Sequence, residues 1–245
     1  MLERALEAPE DIQDAILQSL TIPRYTRIYR EGIFRDSTGA HTIRCVEAAK
    51  KLLLPGELKD KIIRILWIHD LPEIITTDFS VIQKESNPEI SEKLEKKEIE
   101  AATLLLSKSD QILLDDFNNA DSYLKGIRTN KIPGLESMFA KVIDTIDGNT
   151  FFHRELSLWV VSDEFESSGI PNNASLIYSF KVYRIYTQNL NIHPSLDDYQ
   201  KTAKILLRNQ LSQITHYWES IPESRKPDVL KEELVWASNE LRRLE

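Results

Sequence analysis

Glycine is scarce in this chain, and this scarcity restricts the available folds more than any other feature. Seven of the 245 residues are glycine, about 3%, where proteins usually contain about 7%. Tight turns and the loops that surround nucleotide phosphates depend on glycine, so a glycine-rich nucleotide-binding fold is disfavoured. Charged segments rich in Leu and Ile recur at helical spacing, and no strand pattern is convincing. The sequence therefore predicts an all-α protein.

The length and the hydrophobic content of the chain allow a large buried core, since 41% of its 245 residues are hydrophobic. We predict a helical core over residues 1–160 and a helical extension over residues 161–245, packed on the same domain. No apolar run approaches the roughly 20 residues of a membrane span, and the N-terminus is acidic. The single cysteine, Cys45, excludes an intrachain disulfide. We therefore expect a cytoplasmic protein without a membrane partner.

Charge is unevenly distributed along the chain. The net charge of −8 argues against a nucleic-acid polymer as partner. Residues 21–70 nevertheless contain ten Lys or Arg and six Asp or Glu. Such a basic segment in an acidic protein suits a small anionic ligand, although for most of these ten residues a solvated helix face is the simpler interpretation.

Helical periodicity places four ionisable side chains on inward-facing positions. The helix predicted over residues 58–69 is apolar on almost every side and ends at His69, which is followed at once by Asp70. His41 shares a helix face with Cys45, and Asp144 lies between isoleucines in a long helix that begins near residue 135. Each residue alone could be a satisfied core or cap residue. Together they are better explained by one divalent cation, and mixed imidazole and carboxylate ligands suit Mn²⁺, Co²⁺, Fe²⁺, Ni²⁺ or Zn²⁺.

The spacing of these residues resembles the HD-domain metal phosphohydrolases. The segment HDLPEIITTD places Glu73 three residues and Asp78 eight residues after Asp70, which resembles the branch that contains bacterial 5'-deoxynucleotidases. The upstream segment IPRYTRIYREGIFRDSTGAHTIR is similar to the same branch, and the match covers residues 20–150. The resemblance implies an HD-domain helical bundle with additional C-terminal helices.

The resemblance also implies a role for each matching residue. One divalent metal ion would be held by four residues: His41, His69, Asp70 and Asp144. Glu73 would handle the proton of the attacking water or of the leaving group, and Asp78 would orient the sugar. Arg24 would pair with the phosphate, with Arg27 as the competing candidate, because a guanidinium suits that anion. Tyr25 would pack near C2' of the sugar.

The implied reaction is hydrolysis of the phosphomonoester of a small nucleotide, such as a (deoxy)nucleoside 5'-monophosphate. No histidine lies between Asp70 and Asp144, which disfavours the two-metal sites of other superfamily branches. Tyr25 stands where the branch usually has Trp, and Ala40 and Thr42 flank the first histidine where an acid and a serine are common. These departures permit an alternative, a non-catalytic nucleotide-binding or regulatory module. The resemblance allows a homodimer.

Overall fold

In the described part of the chain, every regular secondary-structure element is a helix. The computed structural model describes residues 1–24, 36–52, 54, 56–77, 88–127, 129, 131–161, 179–182, 184–185 and 197–244. Its helices are α1 (Leu2–Ala5), α2 (Gln13–Ser19), α3 (Thr38–Lys50), α4 (Gly56–Ile68), α5 (Glu73–Thr76), α6 (Pro88–Leu105), α7 (Lys108–Leu124), α8 (Leu135–Val160), α9 (Asp197–Glu219), the 3₁₀ helix Glu223–Arg225 and α10 (Asp228–Leu244). The prediction of an all-α protein is confirmed.

Two compact units divide the chain. Unit 1 comprises Met1–Tyr123 and Thr129–Asp144, and unit 2 comprises Leu124–Arg128 and Thr145–Glu245. The division falls within α8. The boundary predicted at residue 160 stays a prediction.

The core of unit 1 is built around α4, which packs against α3. Ile62, Ile65, Leu66 and Ile68 of α4 are fully buried, as expected for a helix that is apolar on almost every side. Ser37 begins α3 by accepting a hydrogen bond from the Ala40 amide (3.1 Å), a common N-cap arrangement. The central helix therefore presents its last turn, and the residues just after it, to the interior of unit 1.

The weak periodicity of residues 108–131 predicts short helices, whereas Lys108–Leu124 forms one continuous helix. Leu114, Phe117 and Ala120 are buried on it, and their spacing of three residues keeps them on one face. The polar residues between them obscured this stripe in the sequence.

Unit 2 contains α9 packed against α10. Trp218 and Phe180 are fully buried within it. The sequence predicts a helix over residues 174–188, and within that range residues 179–182 and 184–185 are helical. Every helix in the described ranges is too short or too polar to cross a membrane.

Candidate metal centre

In unit 1, each of two imidazole nitrogens lies within 3.7 Å of an oxygen of each of two carboxylates. His41 Nε2 lies 2.9 Å from Asp144 Oδ1 and 3.7 Å from Asp70 Oδ2. His69 Nε2 lies 3.2 Å from Asp70 Oδ2, 3.7 Å from Asp144 Oδ1 and 3.4 Å from His41 Nε2. We call these four side chains the His/Asp cluster. The structure thus brings together all four residues that the sequence proposed as metal ligands.

The four residues of the His/Asp cluster come from three separate helical segments. His41 points inward from the first turns of α3, and His69 and Asp70 follow directly after the central helix α4. Asp144 comes from α8. Both histidine side chains are almost completely buried, while the two carboxylates remain 18% and 15% exposed. The carboxylates therefore form the side of the cluster that a ligand from solvent can reach.

The spacing of the donor atoms suits a first-row divalent ion. Ligand atoms about 2.1 Å from such an ion lie about 3.0 Å apart at right angles and about 3.4 Å apart at the tetrahedral angle. The interatomic distances above, 2.9 to 3.7 Å, span both values. Neutral imidazole nitrogens and carboxylate oxygens are also the donors that such ions prefer. The cluster could therefore hold a metal ion.

A backbone hydrogen bond on the ring nitrogen that faces away from the cluster fixes the orientation of the His69 ring. Its Nδ1 lies 2.8 Å from the carbonyl oxygen of Leu66, and a carbonyl can only accept, so Nδ1 carries a proton and donates it. In the neutral ring, Nε2 then presents its lone pair to the cluster. A backbone partner of this kind is the usual support of a metal-binding histidine.

Negative charge dominates the electrostatics of the cluster. Burial opposes a charged His69, but the carboxylates of Asp70 and Asp144 outweigh it and raise the pKa of this imidazole to about 10. Burial likewise opposes ionised carboxylates, yet His69 holds the pKa of Asp70 well below its usual range. Lys141, whose Nζ lies 2.9 Å from Asp144 Oδ2, does the same for Asp144. Two partly exposed carboxylates that remain ionised attract a cation.

Arg24 lies at the edge of the His/Asp cluster. Its Nη1 is 3.7 Å from Asp70 Oδ2. The backbone holds it there, because the Arg24 amide donates to the Asp36 carbonyl (3.1 Å) and the neighbouring Pro23 forms a bridge with Ser37. Asp36 in turn accepts two hydrogen bonds from Arg44, each 2.8 Å long. Of the residues predicted to contact substrate, Arg24 is thus placed beside the proposed ligands.

Glu73 is bonded to helix α3 and to the turn that follows α4. Its amide donates to the Asp70 carbonyl (3.1 Å), and its Oε2 accepts a hydrogen bond from the Thr38 hydroxyl (3.0 Å). Thr38, which lies one helical turn before His41, carries no motif that would have predicted this contact from the sequence. Three further residues predicted to act on the substrate lie outside the described ranges: Tyr25, Arg27 and Asp78.

A second buried histidine, His153 of unit 2, has a different environment. Its Nδ1 accepts a hydrogen bond from Trp218 Nε1 (3.2 Å), so its Nε2 carries the proton and donates to Ser179 Oγ (2.9 Å). A general base would need Nε2 to accept from the serine instead. Burial lowers the pKa of His153 to about 3. This histidine is a neutral core residue, and the sequence analysis gave it no role.

The remaining candidates contribute little. Cys45 is a fully buried thiol that forms no disulfide, and its Sγ lies 3.7 Å from both ring nitrogens of His41. His216 is exposed, with Nδ1 3.3 Å from a Glu219 oxygen, and His193 falls outside the described residues.

Comparisons with protein-family models, with curated proteins and with solved structures gave no match.

Proposed function

We propose that this protein is a metal-dependent phosphohydrolase of the HD-domain type that cleaves the phosphomonoester of a small nucleotide. The observation that carries the proposal is the His/Asp cluster, in which each of two imidazoles lies within 3.7 Å of two carboxylates from distant parts of the chain. The resemblance of its spacing to HD-domain enzymes supports the reaction class. Among the described residues, Arg24 and Glu73 would supply the groups that act on the substrate.

His41, His69, Asp70 and Asp144 would hold one divalent ion: Mn²⁺, Co²⁺, Fe²⁺, Ni²⁺ or Zn²⁺. Such an ion, when bound, supplies Lewis acidity toward a phosphoryl oxygen. The hydrogen bond from His69 to the Leu66 carbonyl keeps that ring oriented. Lys141 offsets part of the negative charge on Asp144. These contacts prepare the ligand set before the substrate arrives.

Two side chains near the cluster would act on the substrate. Arg24 carries a guanidinium, which pairs well with phosphate oxygens, and it already lies beside Asp70. Glu73 carries a carboxylate that can accept the proton of the attacking water or return one to the leaving oxygen. The preference for a nucleotide, with Asp78 and Tyr25 at its sugar and Arg27 as the alternative phosphate ligand, rests on the resemblance.

Phosphate release from a panel of ribo- and deoxyribonucleoside 5'-monophosphates tests the proposal. Each substrate is assayed with Mn²⁺, Co²⁺, Ni²⁺, Zn²⁺ or Mg²⁺. The inactive control is His69→Ala/Asp70→Ala, and the matched control is His216→Ala/Glu219→Ala, which removes an exposed histidine and carboxylate. We expect release from the wild type and the matched control only.

Ligand binding without release would favour the binding module instead. Elemental analysis of the same samples must show that metal is present. Metal-loaded wild type that releases phosphate from none of the substrates would refute the proposed nucleotidase activity.

Metal retention and turnover should separate in two single variants. Asp144→Ala is expected to lose bound metal and activity together, because it removes one of the proposed ligands. Glu73→Ala is expected to keep the metal but to lose about 10²-fold in kcat, the usual contribution of a general acid or base. Glu57→Ala, which removes an exposed carboxylate, is the control. Wild-type turnover in Glu73→Ala would contradict the proton-transfer role.

A further inference from the structure

A buried hydroxyl from α3 contacts the Glu73 carboxylate. Thr38 is fully buried, and its Oγ1 donates a hydrogen bond to Glu73 Oε2 at 3.0 Å. The two residues are 35 positions apart, so the contact belongs to the tertiary structure. A hydrogen bond to a charged group inside a protein is stronger than one between neutral groups. The hydroxyl therefore restricts where this carboxylate can point.

The backbone of Glu73 provides little rigidity by itself. Glu73 begins α5, which is only four residues long, and helices this short are not stable in isolation. Its amide is held by the Asp70 carbonyl at 3.1 Å. That bond fixes the main chain near the cluster but leaves the side-chain torsions open. The bond from Thr38 restricts those torsions.

Thr38 also links the carboxylate to a proposed metal ligand. It lies three residues before His41 on the same helix, so both side chains are presented from the buried side of α3. Thr38 shares α3 with His41, and Glu73 follows Asp70 by three residues, so both partners of this hydrogen bond lie on segments that carry the His/Asp cluster. Any displacement of α3 would move the ligand and the carboxylate's partner together.

We propose that Thr38 is a positioning residue, which holds the Glu73 carboxylate in the orientation required for proton transfer. The proposal rests on the proposed phosphohydrolase function. Thr38 acts through Glu73 and does not itself touch the substrate. Its hydroxyl should therefore affect the turnover rate, and it should leave substrate binding and metal content unchanged.

Three substitutions on α3 test the role of the hydroxyl. Thr38→Val keeps the shape of the side chain and removes the hydroxyl, while Thr38→Ser restores a hydroxyl. Thr42→Val makes the same change at a buried position one turn away. We expect kcat to fall about 10-fold in Thr38→Val, since small misplacements of catalytic groups are costly. KM and metal content should stay as in the wild type, and Thr38→Ser and Thr42→Val should retain most of kcat.

Equal losses of kcat in Thr38→Val and Thr42→Val would indicate a general packing effect and would overturn the proposal. A raised KM with unchanged kcat would overturn it as well.

A thermal double-mutant cycle provides a readout independent of activity. Thr38→Val, Glu73→Gln and the double variant are melted beside the wild type. If the bond fixes Glu73, the drop in Tm of the double variant is smaller than the sum of the two single drops. Additive drops would refute the contact. If the metal-loaded wild type releases no phosphate but the cycle is non-additive, the nucleotidase activity is refuted while the contact between Thr38 and Glu73 is supported.

Discussion

Unit 2 should lose stability in mild acid because of one buried histidine. The His153 ring contacts Ser179 and Trp218 through hydrogen bonds and packs against Phe152 and Phe180, so none of these contacts carries a charge. A second ring proton would sit on Nδ1, opposite the Trp218 N–H, and two donors would face each other. The folded state therefore excludes the imidazolium, whereas the unfolded chain accepts it.

The size of the effect follows from the two pKa values. Burial lowers the pKa of His153 to about 3 in the folded state, against about 6.5 in an unfolded chain. Because the folded value is the lower one, the stability is fully present above pH 6.5 and is lost as the pH falls toward 3. With about 1.4 kcal/mol for each pH unit in that window, the loss is about 2 kcal/mol at pH 5.

Urea unfolding at pH 7.5 and pH 5.0, followed by tryptophan fluorescence, measures this loss. Three of the four tryptophans, Trp159, Trp218 and Trp236, lie in unit 2. His153→Gln, which keeps an amide donor and acceptor but does not titrate, should show a pH dependence smaller by about 2 kcal/mol. The exposed His216→Gln is the matched control and should behave as the wild type. Equal pH dependence in His153→Gln and the wild type would refute the reasoning.

Two further predictions concern the packing of unit 1. Gly39→Ala should lower the free energy of unfolding by about 1–3 kcal/mol, because the added Cβ would lie 2.6 Å from Ser19 Oγ. Gly56→Ala is the control and should not lower it, because a Cβ there meets nothing within 4 Å. Equal melting temperatures for the two variants would contradict this explanation. Arg64→Met should cost about 3 kcal/mol in urea unfolding, because it leaves the buried Asp110 carboxylate without its two bonds from Arg64 (2.8 and 2.6 Å). Adding Asp110→Leu should recover most of the loss, and a double variant as unstable as the single one would disprove the explanation.

Much of the helical architecture could be predicted from local sequence signals. The apolar run that ends at His69 indicated a central helix, and the structure contains it. Helix formation depends on residues three and four positions apart, so the information is present in short segments. The helix Lys108–Leu124 was missed as one element because its buried stripe is narrow and interrupted by polar residues.

The sequence by itself determined which side chains face inward, since a residue's position on a helix sets its direction. The tertiary structure decided what each one meets there. His69 and His153 are both buried histidines. Asp70 and Asp144 raise the pKa of the first, while burial beside Trp218 lowers that of the second. These partners come from distant segments, and helical periodicity carries no information about which distant residue will lie opposite.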